Sequence, residues 1–267
     1  MKVLDSFRLD GKLAIVTGGG GGLGSAIAEA MAEAGADVGV VDKDEMGASE
    51  TAKMVELLGR RSLAVKADIS KEEDVVAMMQ RITKELGPLD IIFANAGILN
   101  EPDPIPDGKL RDWQNVIDIN LTGVYLTLRE AAKLMIPRKQ GKMIATASVV
   151  GIVSTEKGSA PAYTASKGGV VSLTKTFSVA LAQYGIQVNS FAPGFFITNL
   201  SPYKKYLQQE NPGEEGRQAV ASRLGKIPLR KFAYPADLKG LALFLSSSAS
   251  DYITGATIPI DGGLLAV

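Results

Sequence analysis

Thr17-Gly18-Gly19-Gly20-Gly21-Gly22-Leu23-Gly24 stands between an apolar run, Leu13-Ala14-Ile15-Val16, and an alanine-rich segment beginning Ser25-Ala26-Ile27-Ala28. A flexible linker would not be bracketed in this way. A strand that ends in glycines and turns directly into a helix lets backbone N–H groups and the helix N-terminus approach an anion closely, as a pyrophosphate requires. The run satisfies two spacings. Gly19, Gly21 and Gly24 fit G-x-G-x-x-G, while Gly18, Gly22 and Gly24 behind Thr17 fit T-G-x-x-x-G-x-G. Pattern alone does not separate them.

The rest of the chain repeats the same unit. Apolar, β-branched runs predict strands at 13–17, 37–41, 63–66, 89–93, 142–147, 186–191 and 257–260. Helical patterns fall at 25–34, 45–58, 110–136, 163–183 and 235–246, and Ser70 with Glu73 reads as a capping box for a further helix ending at Leu86. Gly35, Gly87-Pro88 and Pro193-Gly194 punctuate these elements, and residues 101–107 read as a Pro-rich loop. Alternating strands and helices imply an α/β fold, a doubly wound, Rossmann-like parallel sheet of about seven strands with helices on both faces. Residues 195–230 carry Pro202, Pro212, Gly213 and Gly216. They are expected to form a mobile substrate-loop insertion with short helices inside one domain spanning 1–267.

Composition narrows the chemistry. Lys plus Arg and Asp plus Glu both total 29, so no global field draws the chain to nucleic acid or an anionic membrane, and a small-molecule partner is expected. No cysteine and no histidine occur. Thiol nucleophiles, disulfides and the usual zinc and iron ligand sets are therefore absent, and no metal site is expected, with carboxylate-bound Mg²⁺ the one kind the composition leaves open. Lys2, Asp5 and Arg8 place charge where a signal peptide needs an apolar region, so the expected location is cytoplasmic. The uncharged stretch 176–203 is broken by Gln183, Gln187, Asn189, Pro193, Gly194 and Asn199, which argues against a membrane span.

Two further features give the glycine turn a partner and a reactive group. Asp42 ends the second strand about 18 residues past Gly24, near the ~20 at which an acid reaches the ribose hydroxyls of NAD. It would repel a 2′-phosphate, although Lys43 beside it would attract one; on balance NAD is expected over NADP. In Ala162-Tyr163-Thr164-Ala165-Ser166-Lys167, one helical turn sets a phenol beside an ammonium. Such a phenol offers acid–base chemistry in a chain without imidazole, and the neighbouring cation favours the phenolate. Taken alone, that spacing is common.

With these pieces in order, the chain resembles the short-chain dehydrogenase/reductase family over nearly its whole length. Thr17 to Gly24 is similar to the family's glycine motif, with Gly18, Gly22, Leu23 and Gly24 at the cofactor. Asp68, followed by Ile69, matches the adenine-binding acid, and Asn95-Ala96-Gly97 matches the N-A-G segment, in which Asn95 is expected to brace the sheet more than to react. The family often has a second asparagine where this chain has Ala94. Asn120, Ser148, Tyr163 and Lys167 match the catalytic tetrad, and Pro193, Gly194, Phe196 and Thr198 match the turn on the nicotinamide side.

The resemblance implies hydride transfer between a nicotinamide cofactor and a secondary alcohol or ketone. Tyr163 would exchange the proton, Lys167 would lower its pKa and hold the ribose, Ser148 would polarise the reacting oxygen, and Asn120 would hold a water leading to Lys167. The chain termini look similar to the family's sugar-acid and polyol branch, and a homotetramer built on the two long helices is implied. Segments 98–101, 149–161 and 195–230 are expected to line the substrate pocket, with Asn100, Ser154, Glu156, Tyr203, Lys204 and Lys205 as polar candidates. Lys204 or Lys205 could neutralise a substrate carboxylate. Two alternatives stand beside this reading: a 3-oxoacyl-[acyl-carrier-protein] reductase, and a catalytically silent NAD-binding sensor or scaffold on the same fold.

Overall fold

The computed structural model describes residues 2–99, 105–154, 160–209 and 211–267. Seven strands, β1 (Leu13–Thr17), β2 (Asp37–Asp42), β3 (Ser62–Lys66), β4 (Ile91–Ala94), β5 (Gly141–Thr146), β6 (Ile186–Pro193) and β7 (Thr257–Ile260), form one sheet. Their order is β3-β2-β1-β4-β5-β6-β7, and every pairing is parallel. Chain direction across the sheet therefore reverses between β1 and β4. In open α/β sheets a crevice for ligands opens at that switch point, beyond the C-terminal strand ends.

Strand periodicity explains the two cores. Leu13 and Ile15 point to one face, with Ile92 and Met143, where they meet α3 (Glu72–Leu86), α5 (Gly123–Met135) and α6 (Pro161–Leu181) through Met78, Ile82, Leu128 and Val170. Ala14 and Val16 point to the other, with Phe93, Ile144 and Phe191. There they pack on α1 (Gly22–Glu33), α2 (Glu45–Leu57) and α9 (Lys239–Ser246) through Ile27, Met31, Val55, Ala242 and Leu245. Both faces being covered, the central strands read as unbroken apolar runs instead of alternating ones.

Two predicted elements differ from what forms. The expected single helix over 110–136 is α4 (Leu110–Ile117), a π-helical turn (Asp118–Thr122) and α5. The extra residue of the π turn shifts the face of the helix and directs Asn120 inward, where it is fully buried. Ser70 caps nothing: Lys71 is the N-cap residue of α3, and the Ser70 hydroxyl donates to Asp68 Oδ1 at 2.6 Å. Asp74, on the first turn, accepts the Asp68 N–H instead. The segment 195–230 holds α7 (Lys204–Leu207) and α8 (Gly213–Gly225). Among the described residues, no helix is long and apolar enough to cross a membrane.

Candidate active site

β1 delivers the glycine turn to the switch point, and geometry chooses between the two glycine spacings. Gly18 and Gly22 have φ of +64° and +56°, the left-handed region that disfavours a side chain. A Cβ on Gly24 would lie 1.9 Å from the Gly18 carbonyl oxygen, whereas one on Gly21 would meet nothing within 4 Å. The spacing Gly18, Gly22, Gly24 is the structural one. Gly18 also lies against Ala96 at the end of β4, its built Cβ 2.7 Å from the Ala96 Cα, so the tips of the two switch-point strands meet at a glycine.

Polar groups lock these tips together. Thr17 Oγ1 donates to the Phe93 carbonyl at 3.1 Å and accepts the N–H groups of Asn95 and Ala96. Asn95 Nδ2 donates to the Thr17 and Gly18 carbonyls, and its Oδ1 accepts from Thr146 Oγ1 at 3.0 Å. One side chain thus joins β1, β4 and β5, the bracing expected of Asn95.

At the end of β2, Asp42 is fixed by two backbone donors: Gly20 N–H to Oδ2 at 2.8 Å and Asp44 N–H to Oδ1 at 2.9 Å. Its neighbour Lys43 turns away from it toward Asp68, 3.6 Å from Oδ2. The hydrogen bond from the Ser70 hydroxyl, more than Lys43, holds the Asp68 carboxyl below the usual carboxylate range. Asp42, Asp68 and Ile69 line one end of a cleft of about 650 Å³ with Gly18, Gly22, Leu23 and Gly24. Ala96, Gly97, Pro193, Gly194, Phe196 and Thr198 line it as well. The built Cβ of Gly22 would touch Thr198 at 3.4 Å, so Thr198 lies against the start of α1. A cleft with an α1 N-terminus that no side chain caps, and a carboxylate ~20 residues on, fits a dinucleotide.

Ser148, Tyr163 and Lys167 meet on the same cleft. β5 and the turn after it carry Ser148, and a Cβ on Gly151 would lie 2.6 Å from the Lys167 carbonyl. That close approach packs the Ser148 turn directly on the backbone of α6, which bears the other two. Lys167 is 3% exposed, and its Nζ donates to the Thr146 carbonyl at 2.7 Å. Asn120 lies behind the cleft wall, its amide paired with the Ile98 peptide at 2.8 Å in both directions. Gly97 separates it from Lys167: a Cβ there would stand 3.2 Å from Asn120 Oδ1 and 3.5 Å from Lys167 Nζ.

Burial sets the electrostatics. It pushes the Tyr163 phenol above its ordinary value, against the pull of the hydrogen bond shared with Ser148. It also pushes Lys167 down to about 8. The expectation that the ammonium would lower the phenol's pKa is not met in this state. Nζ is directed at the Thr146 carbonyl, 5.8 Å from the Tyr163 ring centroid, and desolvation of both groups outweighs their attraction.

Between about pH 8 and ~10.4 the unfolded chain keeps a proton on Lys167 that the folded chain has lost, so this residue makes stability rise with pH across that window. Below it both states are protonated, and the buried ammonium costs on the order of 3 kcal/mol. The unliganded protein is expected to gain stability relative to Lys167→Met as pH rises from 7.5 to 10 in urea unfolding. A pH-independent difference between the two would contradict the burial argument.

Lys204 and Lys205 lie outside this cleft. Lys204 Nζ donates to Asn199 Oδ1, and Lys205 sits 4.7 Å from the Tyr206 ring centroid. Ser154 is exposed, and Asn100, Glu101 and Glu156 fall outside the described residues. The charged side chain that does line the cleft on this side is Arg223 of α8, which no motif in the sequence marked. Among the described residues, no group of three or more His, Cys, Asp or Glu is placed to hold a metal ion.

A family profile described as enoyl-(acyl carrier protein) reductase, adh_short_C2, matches residues 19–265. The 2-dehydro-3-deoxy-D-gluconate 5-dehydrogenase of Escherichia coli (strain K12) is 37% identical over 265 residues, 99% of each chain. The chain belongs to the short-chain dehydrogenase/reductase family. A short-chain type dehydrogenase/reductase from Mycobacterium marinum superposes with a TM-score of 0.90 at 37% identity over 100% of both chains. A gluconate 5-dehydrogenase from Burkholderia cenocepacia J2315, solved with NADP and tartrate, gives 0.89 at 33% identity, again over 100% of both. Sorbose reductase of Candida albicans is 35% identical, covering 98% of this chain and 89% of its own. An NAD+-bound xylitol dehydrogenase gives a TM-score of 0.89 at 28% identity, covering 96% and 100%. As a member of this family the chain is an NAD(P)-dependent oxidoreductase acting on a secondary alcohol or ketone.

Proposed function

We propose that this short-chain dehydrogenase/reductase interconverts the secondary hydroxyl and the ketone of a small sugar acid, with NAD as its cofactor. What carries the reading is a phenol, a hydroxyl and a buried lysine on one cleft with the glycine turn and Asp42, in a chain whose full-length relatives include sugar-acid dehydrogenases. When bound, the nicotinamide supplies the hydride acceptor or donor.

Each tetrad residue then has a task. Tyr163 exchanges the proton of the substrate hydroxyl; held neutral by burial, the phenol is the form that donates to a ketone during reduction. Ser148 donates a hydrogen bond to the reacting oxygen and stabilises charge as it develops there. Lys167 holds the ribose and, with a pKa near 8, exchanges protons near neutrality. Asn120 fixes the Ile98 peptide behind it. Gly18, Gly22, Leu23 and Gly24 hold the pyrophosphate, Asp68 and Ile69 the adenine, Ala96 and Gly97 the cleft floor, and Pro193, Gly194, Phe196 and Thr198 the nicotinamide side.

Asp42 favours NAD because its fixed carboxylate would face a 2′-phosphate across the cleft. Reliance on this cofactor supports a cytoplasmic location as part of the same reading. A homotetramer is supported by the half-exposed Trp113 and Tyr125 and by Val179, 80% exposed, on α4, α5 and α6. Its mass in solution tests this.

NADH and NADPH oxidation measured against keto sugar acids, neutral keto sugars and an acetoacetyl thioester tests the function itself. NADH-linked reduction of a keto sugar acid, with kcat/KM at least about tenfold above the thioester, is the expected result. Preference for the thioester with NADPH would instead identify an acyl-carrier reductase. Silence across the panel with retained NAD binding would identify a sensor.

A further inference from the structure

At the switch point the backbone ladder stops short of the site. β1 and β4 pair as far as Val16 and Phe93, and β4 and β5 as far as Ala94 and Ala145. Thr146, the next residue of β5, still pairs with Phe191 of β6, but β4 has ended beside it. A side chain closes that gap: Thr146 Oγ1 donates to Asn95 Oδ1 at 3.0 Å.

Asn95 does not depend on that bond for its own place. Its N–H donates to Thr17 Oγ1 at 3.0 Å, and its Nδ2 to the Thr17 and Gly18 carbonyls at 3.0 and 3.3 Å, so it stands as a fixed post on β1 to which the tip of β5 is tied. Loss of the tie would free β5 and leave the glycine turn anchored. Thr146 suits this task, because it is buried and its branched side chain has few χ1 choices. The carbonyl of the same residue accepts Lys167 Nζ at 2.7 Å. Lys167 is itself buried, so the acceptor it reaches decides where its head group sits. An ammonium has three N–H donors, and this bond leaves two of them for the ribose hydroxyls. Where the Thr146 carbonyl lies therefore decides where those donors point.

We propose that Thr146 is a positioning residue for the reaction: its hydroxyl, hooked on Asn95, fixes the tip of β5 so that its carbonyl holds the Lys167 ammonium where the cofactor ribose needs it. The proposal rests on the role given to Lys167 above. It also gives Asn95 a reach beyond bracing, since a side chain on the cofactor turn sets the place of a lysine on α6.

Thr146→Val keeps the shape of the side chain and removes the hook. The Kd for NADH, read by fluorescence titration, is expected to rise about fivefold, and kcat for 5-keto-D-gluconate to fall about tenfold with KM within about threefold. Thr146→Ser should bring both Kd and kcat back to within about twofold of wild type. Should the valine variant not fold, Thr146→Ala against Thr146→Ser makes the same hydroxyl comparison without the branched methyl. The deciding measurement is made in a Lys167→Met background, where there is no ammonium left to place: there Thr146→Val should change the NADH Kd by less than about twofold. Equal weakening of NADH in both backgrounds, losses in Thr146→Ser as large as in Thr146→Val, or an unchanged Kd and kcat in Thr146→Val would each overturn the assignment. Failure of the underlying reading shows separately, as NADH affinity and turnover that survive Lys167→Met alone, and the assignment would fall with it.

Discussion

Tyr163→Phe is expected to lower kcat by about 10³-fold while leaving the Kd for NADH within about threefold. Only the hydroxyl is removed; the ring keeps its place in α6 and its packing beside Lys167, whose Nζ lies 5.8 Å from the ring centroid. Nothing else of ordinary acid–base character stands ready to replace it, since the chain has no histidine and no cysteine. Lys167 directs its Nζ at the Thr146 carbonyl and not at the position of the phenol hydroxyl. Steady-state kinetics in the reductive direction and a fluorescence titration with NADH separate the two quantities. Retained turnover would remove Tyr163 from the chemistry, and lost NADH binding would mean the substitution had damaged the site more broadly.

Gly24→Ala should be as damaging at the cofactor end, and for a different reason. The added methyl would lie 1.9 Å from the Gly18 carbonyl oxygen and 2.8 Å from Asn95 Nδ2. Neither obstacle is the free end of a flexible chain. Gly18 already sits at φ +64° against Ala96, and Asn95 Nδ2 is held by the Thr17 and Gly18 carbonyls. Relief requires the turn to move off the tips of β1 and β4, which costs several kcal/mol, so affinity for NADH should fall by about 100-fold or more, or folding should fail. Gly21→Ala supplies the control. Its Cβ meets nothing within 4 Å and its φ of 174° is extended backbone, so NADH affinity should remain within about threefold. Equal damage from both substitutions would show that the loop tolerates no side chain anywhere, and the distinction between the two glycine spacings would fall.

The sheet was legible because its signal is local. A strand buried on both faces, such as Leu13-Ala14-Ile15-Val16, has to be apolar throughout, and a βα turn against an anion has to be glycine-rich, so both appear in consecutive residues. The π turn at 118–122 was not legible. Its composition, Asp-Ile-Asn-Leu-Thr, reads as ordinary helix, and the extra residue is favoured by what Asn120 finds once inside, a peptide at Ile98 to pair with. The Ser70 capping box failed for a related reason: Asp68, two residues back, offered the serine hydroxyl a carboxylate at 2.6 Å. Lys204 and Lys205 were plausible anion binders in the sequence, but α7 holds them outside the cleft, while α8 returns a residue about 20 positions later to its wall.

By itself the sequence determined the parallel α/β architecture and the family, and it pointed to the proposed tetrad, because each of these is written as a periodicity or as a spacing within one or two turns of chain. Tertiary structure alone decided which glycines carry the loop, that burial governs Tyr163 and Lys167 more than their mutual attraction, and that Arg223 faces the cleft. Those outcomes depend on desolvation and on contacts between segments far apart in the chain, and a quantity set by the packing of distant residues leaves no mark in the order of neighbouring ones.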